Sequence, residues 1–276
     1  MSDTDDDRSL RTAAGVEPLG PGRYSAHLSP LFSVVDHPHG GYLQCVMASA
    51  ALAAASDAGA RHLHATAVTT NFISAPETGP VELSAEVRRV GRSVSFVHVV
   101  MSQKGVIACE ALVTLGNLGE DSRARYMDAT LPTMAPLEEC RQSTGSDEVN
   151  IMRVMDLRLD PSSAGWRDGV FSDQGEVRGW LRFDDGGGPW DPFSLHFACD
   201  GLPPATFPLG SSGWVPTLQL TSYVRRVPQG EWLRARQWCT VVADGTFDER
   251  CELFDERGEL VASASQLAMV RFPSGR

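Results

Sequence analysis

The sequence is short of positive charge. Its 276 residues contain 24 Lys and Arg against 35 Asp and Glu, which gives a formal net charge of −11. A protein that binds nucleic acid needs a basic surface to neutralise phosphates, so this composition argues against such a partner. Hydrophobic residues make up 42% of the chain and charged residues 21%, which is typical of a globular protein with a sizeable core.

Several patterns with a defined chemistry are also missing. The six cysteines are scattered without a C-x-x-C pair, which argues against a zinc site and against a disulfide framework. The longest apolar run, 42–55, is too short to span a bilayer and contains Gln44. Residues 2–7 read Ser-Asp-Thr-Asp-Asp-Asp, unlike a secretory signal peptide. We therefore expect a soluble, reduced, cytoplasmic protein without membrane insertion or a metal.

The first half combines an Ala-rich helix with a strand meander. The run 43–55 is nearly apolar on all sides, which is typical of a buried helix. A strand is predicted before it at 23–34. Four strand-like runs separated by turn residues follow it, at 64–73, 81–90, 93–103 and 106–115. One helix wrapped by one curled antiparallel sheet is an α+β arrangement.

The second half repeats this order. A buried helix is predicted over 191–205, with Asp191 and Pro192 as its cap and first position and a pair of prolines near its end. Strands are predicted at 151–159, 175–183, 215–226, 232–243, 248–255 and 260–271. These patterns predict an internal duplication of about 120 residues. The two units would join edge to edge into one sheet, which hides two sheet edges.

The domain organisation follows from this repeat. We predict a disordered or peripheral tail over 1–20 and a first unit over 21–116. A polar linker over 117–150 would cross to a second unit over 151–272.

Three segments of the second half resemble a known family. They read Ala-Cys-Asp-Gly-Leu-Pro-Pro-Ala at 198–205, Pro-Thr-Leu-Gln-Leu-Thr-Ser-Tyr-Val-Arg-Arg at 216–226 and Val-Ala-Ser-Ala-Ser-Gln-Leu-Ala-Met-Val-Arg at 261–271. They are similar to the catalytic segments of the acyl-CoA thioesterase II (TesB-like) family, and the resemblance covers roughly residues 20–272. It implies a double hotdog fold, two fused units that each wrap a long central helix in an antiparallel sheet. It also implies that Asp200, Thr217 and Gln266 are the catalytic residues and that no cofactor is used.

In the first half of the chain, a glycine pair and a turn also resemble this family. Gly40 and Gly41 match the pair that opens the family's helix, and Arg92 lies in a Gly-Arg-Ser turn that is common in the family. We expect these three residues to bind substrate. Arg92 could contact the phosphates of coenzyme A, as could Arg225 or Arg226, and the simpler interpretation of each arginine is a solvated turn. Two positions depart from the family pattern: Asp191 stands where many members have histidine, and His39 where many have an aromatic residue.

The residue types fit hydrolysis of a thioester. Asp200 in an apolar helix can act as the base or orient a water molecule. Thr217 and Gln266 can only orient, through hydroxyl and amide groups, and we expect them to hydrogen-bond to Asp200. The N–H of Gly41, at a helix start, could bind the carbonyl oxygen. No G-x-S-x-G motif occurs, so we expect no acyl-enzyme. The first helix has no carboxylate between residues 42 and 56, so we expect one active site per chain.

Simpler interpretations compete with these roles. Asp200 could be a helix-end residue bonded to a loop, and the glycine pair only a tight turn. Strand alternation puts Leu218 and Leu220 on the inner face and leaves Thr217 in solvent. Thr217 could then not act together with Asp200 and Gln266.

Other functions are open on the same fold. The protein could bind acyl thioesters without catalysis, as a pathway accessory, or it could be a hydratase or dehydratase that uses His39 and Asp36. The partner would be acyl-CoA or an acyl-carrier thioester, and we expect a homo-oligomer.

Overall fold

Fourteen strands form one antiparallel sheet in the computed structural model, which describes residues 8–119, 124–143, 149–184 and 188–273. The strands of the first half are β1 (Glu17–Gly20), β2 (Arg23–Leu28), β3 (Ser33–Val34), β4 (His37–Pro38), β5 (His64–Phe72), β6 (Gly79–Val90), β7 (Ser95–Gln103) and β8 (Val106–Gly116). Those of the second half are β9 (Arg141–Gln142), β10 (Met155–Leu159), β11 (Glu176–Phe183), β12 (Thr217–Val224), β13 (Leu233–Trp238), β14 (Val242–Ala243), β15 (Thr246–Phe254) and β16 (Leu260–Met269). Strands β3 and β4 form a separate two-stranded sheet.

The two halves join at their central strands. The order across the sheet is β1-β2-β6-β7-β8-β5-β12-β16-β15-β13-β11-β10-β9, with β14 beside β15. At the junction, Thr221 of β12 lies opposite Thr69 of β5, and their hydroxyls are 3.2 Å apart. The predicted edge-to-edge join and the α+β double hotdog class are therefore confirmed.

Three α-helices lie in the described residues: α1 (Leu10–Ala13), α2 (Gly40–Asp57) and α3 (Leu195–Ala198). Helix α2 confirms the predicted helix 43–55 and is buried along most of its length. Its alanines allow the sheet of the first half to approach it closely. In the described part of the chain, no helix is long and apolar enough to cross a membrane.

The second helix is much shorter than predicted. Regular α-helix covers only Leu195–Ala198, where the sequence predicted a long helix over 191–205. The N–H groups of His196 and Asp200 reach back only three residues, to the carbonyls of Phe193 and Phe197. The prolines at 203 and 204 have no N–H to continue the ladder. The second unit therefore holds a compact helical turn, and the expectation of a long central helix in each unit is wrong here.

The ends of the predicted units also differ from the structure. Residues 1–7 of the predicted tail lie outside the described residues, but α1 and β1 occupy much of the rest. Leu10 is buried, and the hydroxyl of Tyr42 donates to the carbonyl of Ala13 at 2.7 Å. Within the predicted linker, 120–123 and 144–148 lie outside the described residues, and β9 pairs with β10 as a sheet edge.

Candidate active site

Asp200 lies where α3 ends and faces the start of α2. The N–H of Gly41 donates to the carboxylate oxygen Oδ2 at 2.9 Å. His39 Nε2 lies 3.3 Å from the same oxygen and 2.7 Å from the backbone carbonyl of Asp200. A carbonyl can only accept, so Nε2 carries the hydrogen. The start of α2 also favours a negative charge at this point. The carboxylate is therefore held from the first half of the chain.

The glycine pair is needed for close approach of the two helices. Both residues belong to the first turn of α2, so they are more than a tight turn. A Cβ on Gly41 would lie 2.9 Å from the carbonyl oxygens of His196 and Phe197, and one on Gly40 would lie 2.8 Å from Asp200 Oδ2. Both distances are shorter than van der Waals contact. The predicted role of the Gly41 N–H differs from what is seen, because this donor is occupied by Asp200.

A β-bulge places Thr217 on the inner face of the sheet. Thr217 pairs with Ala268 of β16 and Gln219 pairs with the adjacent Leu267, so Leu218 is an extra residue in β12. A bulge of this kind reverses the alternation of side chains on one side of it. Thr217 is half-buried, whereas Leu218 is exposed. The alternation that predicted the opposite arrangement does not hold at this point.

Gln266 lies beside Thr217 on the neighbouring strand. The hydroxyl of Thr217 donates to Gln266 Oε1 at 3.0 Å, and Gln266 Nε2 donates to Glu249. We expected Thr217 and Gln266 to bond to Asp200 directly. In the described structure they bond to each other, and the contacts to the carboxylate come from Gly41 and His39.

Glu249 is a functional candidate that sequence reasoning missed. It lies on β15 and is only 2% exposed, and its Oε1 accepts the N–H of Ala205 at 2.6 Å. Burial, with a smaller contribution from the charge of Asp200, raises the pKa of Glu249 to about 8. The apolar residues Phe247, Cys251 and Leu253 alternate along β15, and this pattern could have placed Glu249 inside.

These side chains share one cavity of about 500 Å³. The lining includes His39, Gly40, Asp200, Thr217, Gln237, Glu249 and Gln266. Much of the rest of the wall is apolar and includes Val34, Ile151, Met152, Leu157, Leu202 and Phe207. A cavity of this size with a few convergent polar groups is typical of a small-molecule site.

Some predicted residues lie elsewhere. Arg92 is exposed on the turn between β6 and β7 and does not line this cavity. Asp36 is exposed on the turn between β3 and β4, so the predicted pairing of His39 with Asp36 is replaced by the contact of His39 with Asp200.

Comparisons with known proteins agree with this geometry. Sequence models of the acyl-CoA thioesterase N-terminal and C-terminal domains match residues 28–116 and 130–270. A crystal structure of a proposed thioesterase II from Thermobifida fusca is 31% identical with a TM-score of 0.86, and covers 95% of this chain and 97% of that one. A hot dog fold protein of unknown function from Alicyclobacillus acidocaldarius is 21% identical with a TM-score of 0.82, at 96% and 98% coverage. An uncharacterised protein of Mycobacterium tuberculosis is 29% identical over 94% of this chain and 97% of its own.

The fused sheet, the buried helices and the family matches define a double hotdog thioester hydrolase. The chain belongs to the acyl-CoA thioesterase family.

Proposed function

We propose that the protein hydrolyses an acyl-CoA to a free acid and coenzyme A, with Asp200 activating the water. The observation that carries this proposal is the cavity wall that combines Asp200, Thr217 and Gln266 with an apolar remainder. The carboxylate supplies a base, the hydroxyl and amide supply orientation, and the apolar wall accepts an acyl chain. Burial of each methylene group contributes about 0.8 kcal/mol, so the apolar wall favours binding of a longer acyl chain over a short acyl group.

The chemistry proceeds without a covalent enzyme intermediate. Asp200 accepts a proton from water, and the water oxygen attacks the thioester carbonyl carbon. The carbon–sulfur bond then breaks, and the thiolate takes up a proton. The N–H of Gly41 already donates to Asp200. We therefore assign to the hydrogen-bonded pair of Thr217 and Gln266 the role of donating a hydrogen bond to the thioester carbonyl oxygen. Such a donor is worth about 2.7–4 kcal/mol in the transition state.

We assign the contact with an anionic group of the substrate to Arg167. This guanidinium lines the cavity, and its Nη1 is buried without a hydrogen-bond partner among the described residues. It replaces Arg92, which lies away from the cavity.

Release of free thiol from acyl-CoAs of graded chain length tests the proposal. We expect Asp200→Asn to lose at least about a hundredfold in rate, the usual effect of removing a positioned base. The matched control is Asp36→Asn, an exposed carboxylate near the same helix start, which should react like the wild type. An unaffected Asp200→Asn enzyme would contradict the role of Asp200. A wild type that binds acyl-CoA without releasing thiol would instead support the non-catalytic accessory function.

One contact favours a second candidate function. His39 Nε2 lies 3.3 Å from Asp200 Oδ2, and a histidine paired with a carboxylate can add water to an enoyl chain or remove it from a hydroxyacyl chain. Incubation with an enoyl-CoA separates the two functions, because hydration leaves the thioester intact whereas hydrolysis releases thiol.

We also propose a homo-oligomer. The large apolar side chains of Phe96, Leu112 and Leu267 are exposed on the outer face of the sheet, and exposed apolar groups of this kind often mark an interface. Sedimentation of the pure protein tests this, and a monomer at all concentrations would contradict it.

A further inference from the structure

Glu249 has no part in the mechanism above, although it is buried in the wall of the same cavity. Both of its oxygens have a partner: Oε1 accepts the N–H of Ala205, and Oε2 accepts from Gln266 Nε2. Gln266 in turn accepts the hydroxyl of Thr217. A buried carboxyl is therefore connected by a continuous chain of hydrogen bonds to the hydroxyl that we place against the substrate.

The direction of this chain depends on the proton of Glu249. An ionised carboxylate can only accept, so Gln266 turns its Nε2 to Glu249 and its Oε1 to Thr217. The hydroxyl of Thr217 then donates its only hydrogen to Gln266, and only its oxygen lone pairs, which accept hydrogen bonds, face the cavity. A protonated Glu249 can donate to Oε1 of Gln266. The amide of Gln266 then takes the reversed orientation, and its Nε2 donates to the hydroxyl oxygen of Thr217. The hydroxyl hydrogen of Thr217 is then free.

Both orientations satisfy the same partners. Ala205 donates to Oε1 of Glu249 in either state, and every bond along the chain has one donor and one acceptor in each state. Only the group that Thr217 presents to the cavity changes.

We propose that Glu249 is a positioning residue that sets the direction of the hydrogen bonds through Gln266, and so decides whether Thr217 offers the thioester a donor. This inference rests on the proposed hydrolysis. The protonated state is the productive one, because the Gly41 N–H is occupied by Asp200 and the carbonyl oxygen needs another donor.

The surroundings of Glu249 support a proton at neutral pH. Burial raises the pKa of Glu249 to about 8, and the nearby charge of Asp200 acts in the same direction. The hydrogen bonds from Ala205, Gln266 and Gln237 lower this pKa, and burial outweighs them. The other titratable groups that interact with it are Cys239, after β13, and Cys251 on its own strand. Across the cavity, His39 contacts Asp200. Among the described residues, no lysine or arginine contributes to the shift.

The test is kcat/KM for thiol release across neutral and alkaline pH. We expect the wild type to lose about a hundredfold as pH rises through about 8, which is the effect of losing one oxyanion donor. Glu249→Gln carries an amide that donates as protonated Glu249 does. It should keep near-normal activity at neutral pH and lack the alkaline loss. Glu252→Gln, three residues along β15, is the matched control and should keep the wild-type profile.

A second variant and a second readout complete the test. Thr217→Val should be about a hundredfold slower at neutral pH, and its rate should not depend on Glu249. Difference infrared spectroscopy should show a protonated carboxyl that disappears at alkaline pH and is absent from Glu249→Gln.

Two results would overturn the inference: a Glu249→Gln enzyme with the wild-type alkaline loss, or a wild-type rate that stays constant while the infrared band disappears. Absence of thiol release at every pH would overturn the proposed hydrolysis and, with it, the role of Glu249. The infrared titration distinguishes that failure, because it follows the proton without turnover.

Discussion

At the scale of the residue, Gly41 meets two demands at once. Its N–H donates to Asp200, and its missing side chain lets α2 approach the backbone of α3, where a Cβ would lie 2.9 Å from two carbonyl oxygens. The obstacle is backbone, which cannot rotate away. At Gly40 the nearest atom is the Asp200 carboxylate, a side chain that can move.

Gly41→Ala should therefore lower both stability and activity. Overpacking of this kind costs about 1–3 kcal/mol, which urea unfolding would measure. Gly40→Ala should lower the rate of thiol release, but it should lower the free energy of unfolding less than Gly41→Ala does. Equal stability losses in the two variants would contradict this distinction.

His196 makes stability depend on pH. It is fully buried, and burial lowers the pKa of its imidazole to about 4 from 6.5, although its Nε2 bonds to the carbonyl of Ala65. Between these values the unfolded chain holds a proton that the folded chain does not, so the free energy of unfolding rises with pH. The contribution is complete above about pH 6.5 and amounts to about 3 kcal/mol at most.

Urea unfolding of wild type and His196→Gln between about pH 4 and 6.5 tests this sign. The wild type should gain stability with rising pH more steeply than the variant. Parallel curves would show that His196 does not carry the dependence.

At the scale of the element, the bulge in β12 marks a limit of sequence reasoning. Regular alternation along β16 puts Gln266 on the same inner face as Ala262, Ala264 and Ala268, which agrees with the structure. Along β12 the same rule put Thr217 on the wrong side. The residue types around Leu218 do not indicate that β12 contains an extra residue, because the bulge is defined by the pairing of β12 with β16. The family resemblance identified Thr217 as catalytic, and the structure places its side chain in the cavity wall, where the local pattern had predicted solvent.

The helical turn that carries Asp200 depends on its cap. Asp191 Oδ1 accepts the N–H of Ser194 at 2.8 Å, Ser194 Oγ accepts the N–H of Asp191, and Arg11 donates to Oδ2. Asp191→Ala should cost about 1–2 kcal/mol, the usual effect of losing an N-cap. Asp191→Asn keeps an acceptor and should cost less. The midpoint of urea unfolding measures both, and identical midpoints for Ala and Asn would exclude the cap.

At the scale of the whole molecule, the duplicated pattern of one helix and one meander was enough to predict the continuous sheet. The cavity was not predictable in the same way, because it combines residues distant in sequence. His39 and Gly40 come from the start of α2, Asp200 from the end of α3, and Thr217 and Glu249 from strands of the second half. The two halves have also diverged: α2 is long and carries no carboxylate near its start, whereas α3 is short and leads to Asp200.

The most direct test of the central claim, attack by a water that Asp200 activates, is a single turnover of acyl-CoA in water labelled with oxygen-18. We predict one labelled oxygen in the free acid, no label in the peptide that contains Asp200, and no acyl group on the intact protein. Label in that peptide, or an acylated protein, would contradict the account, because Asp200 or another side chain would then be the nucleophile.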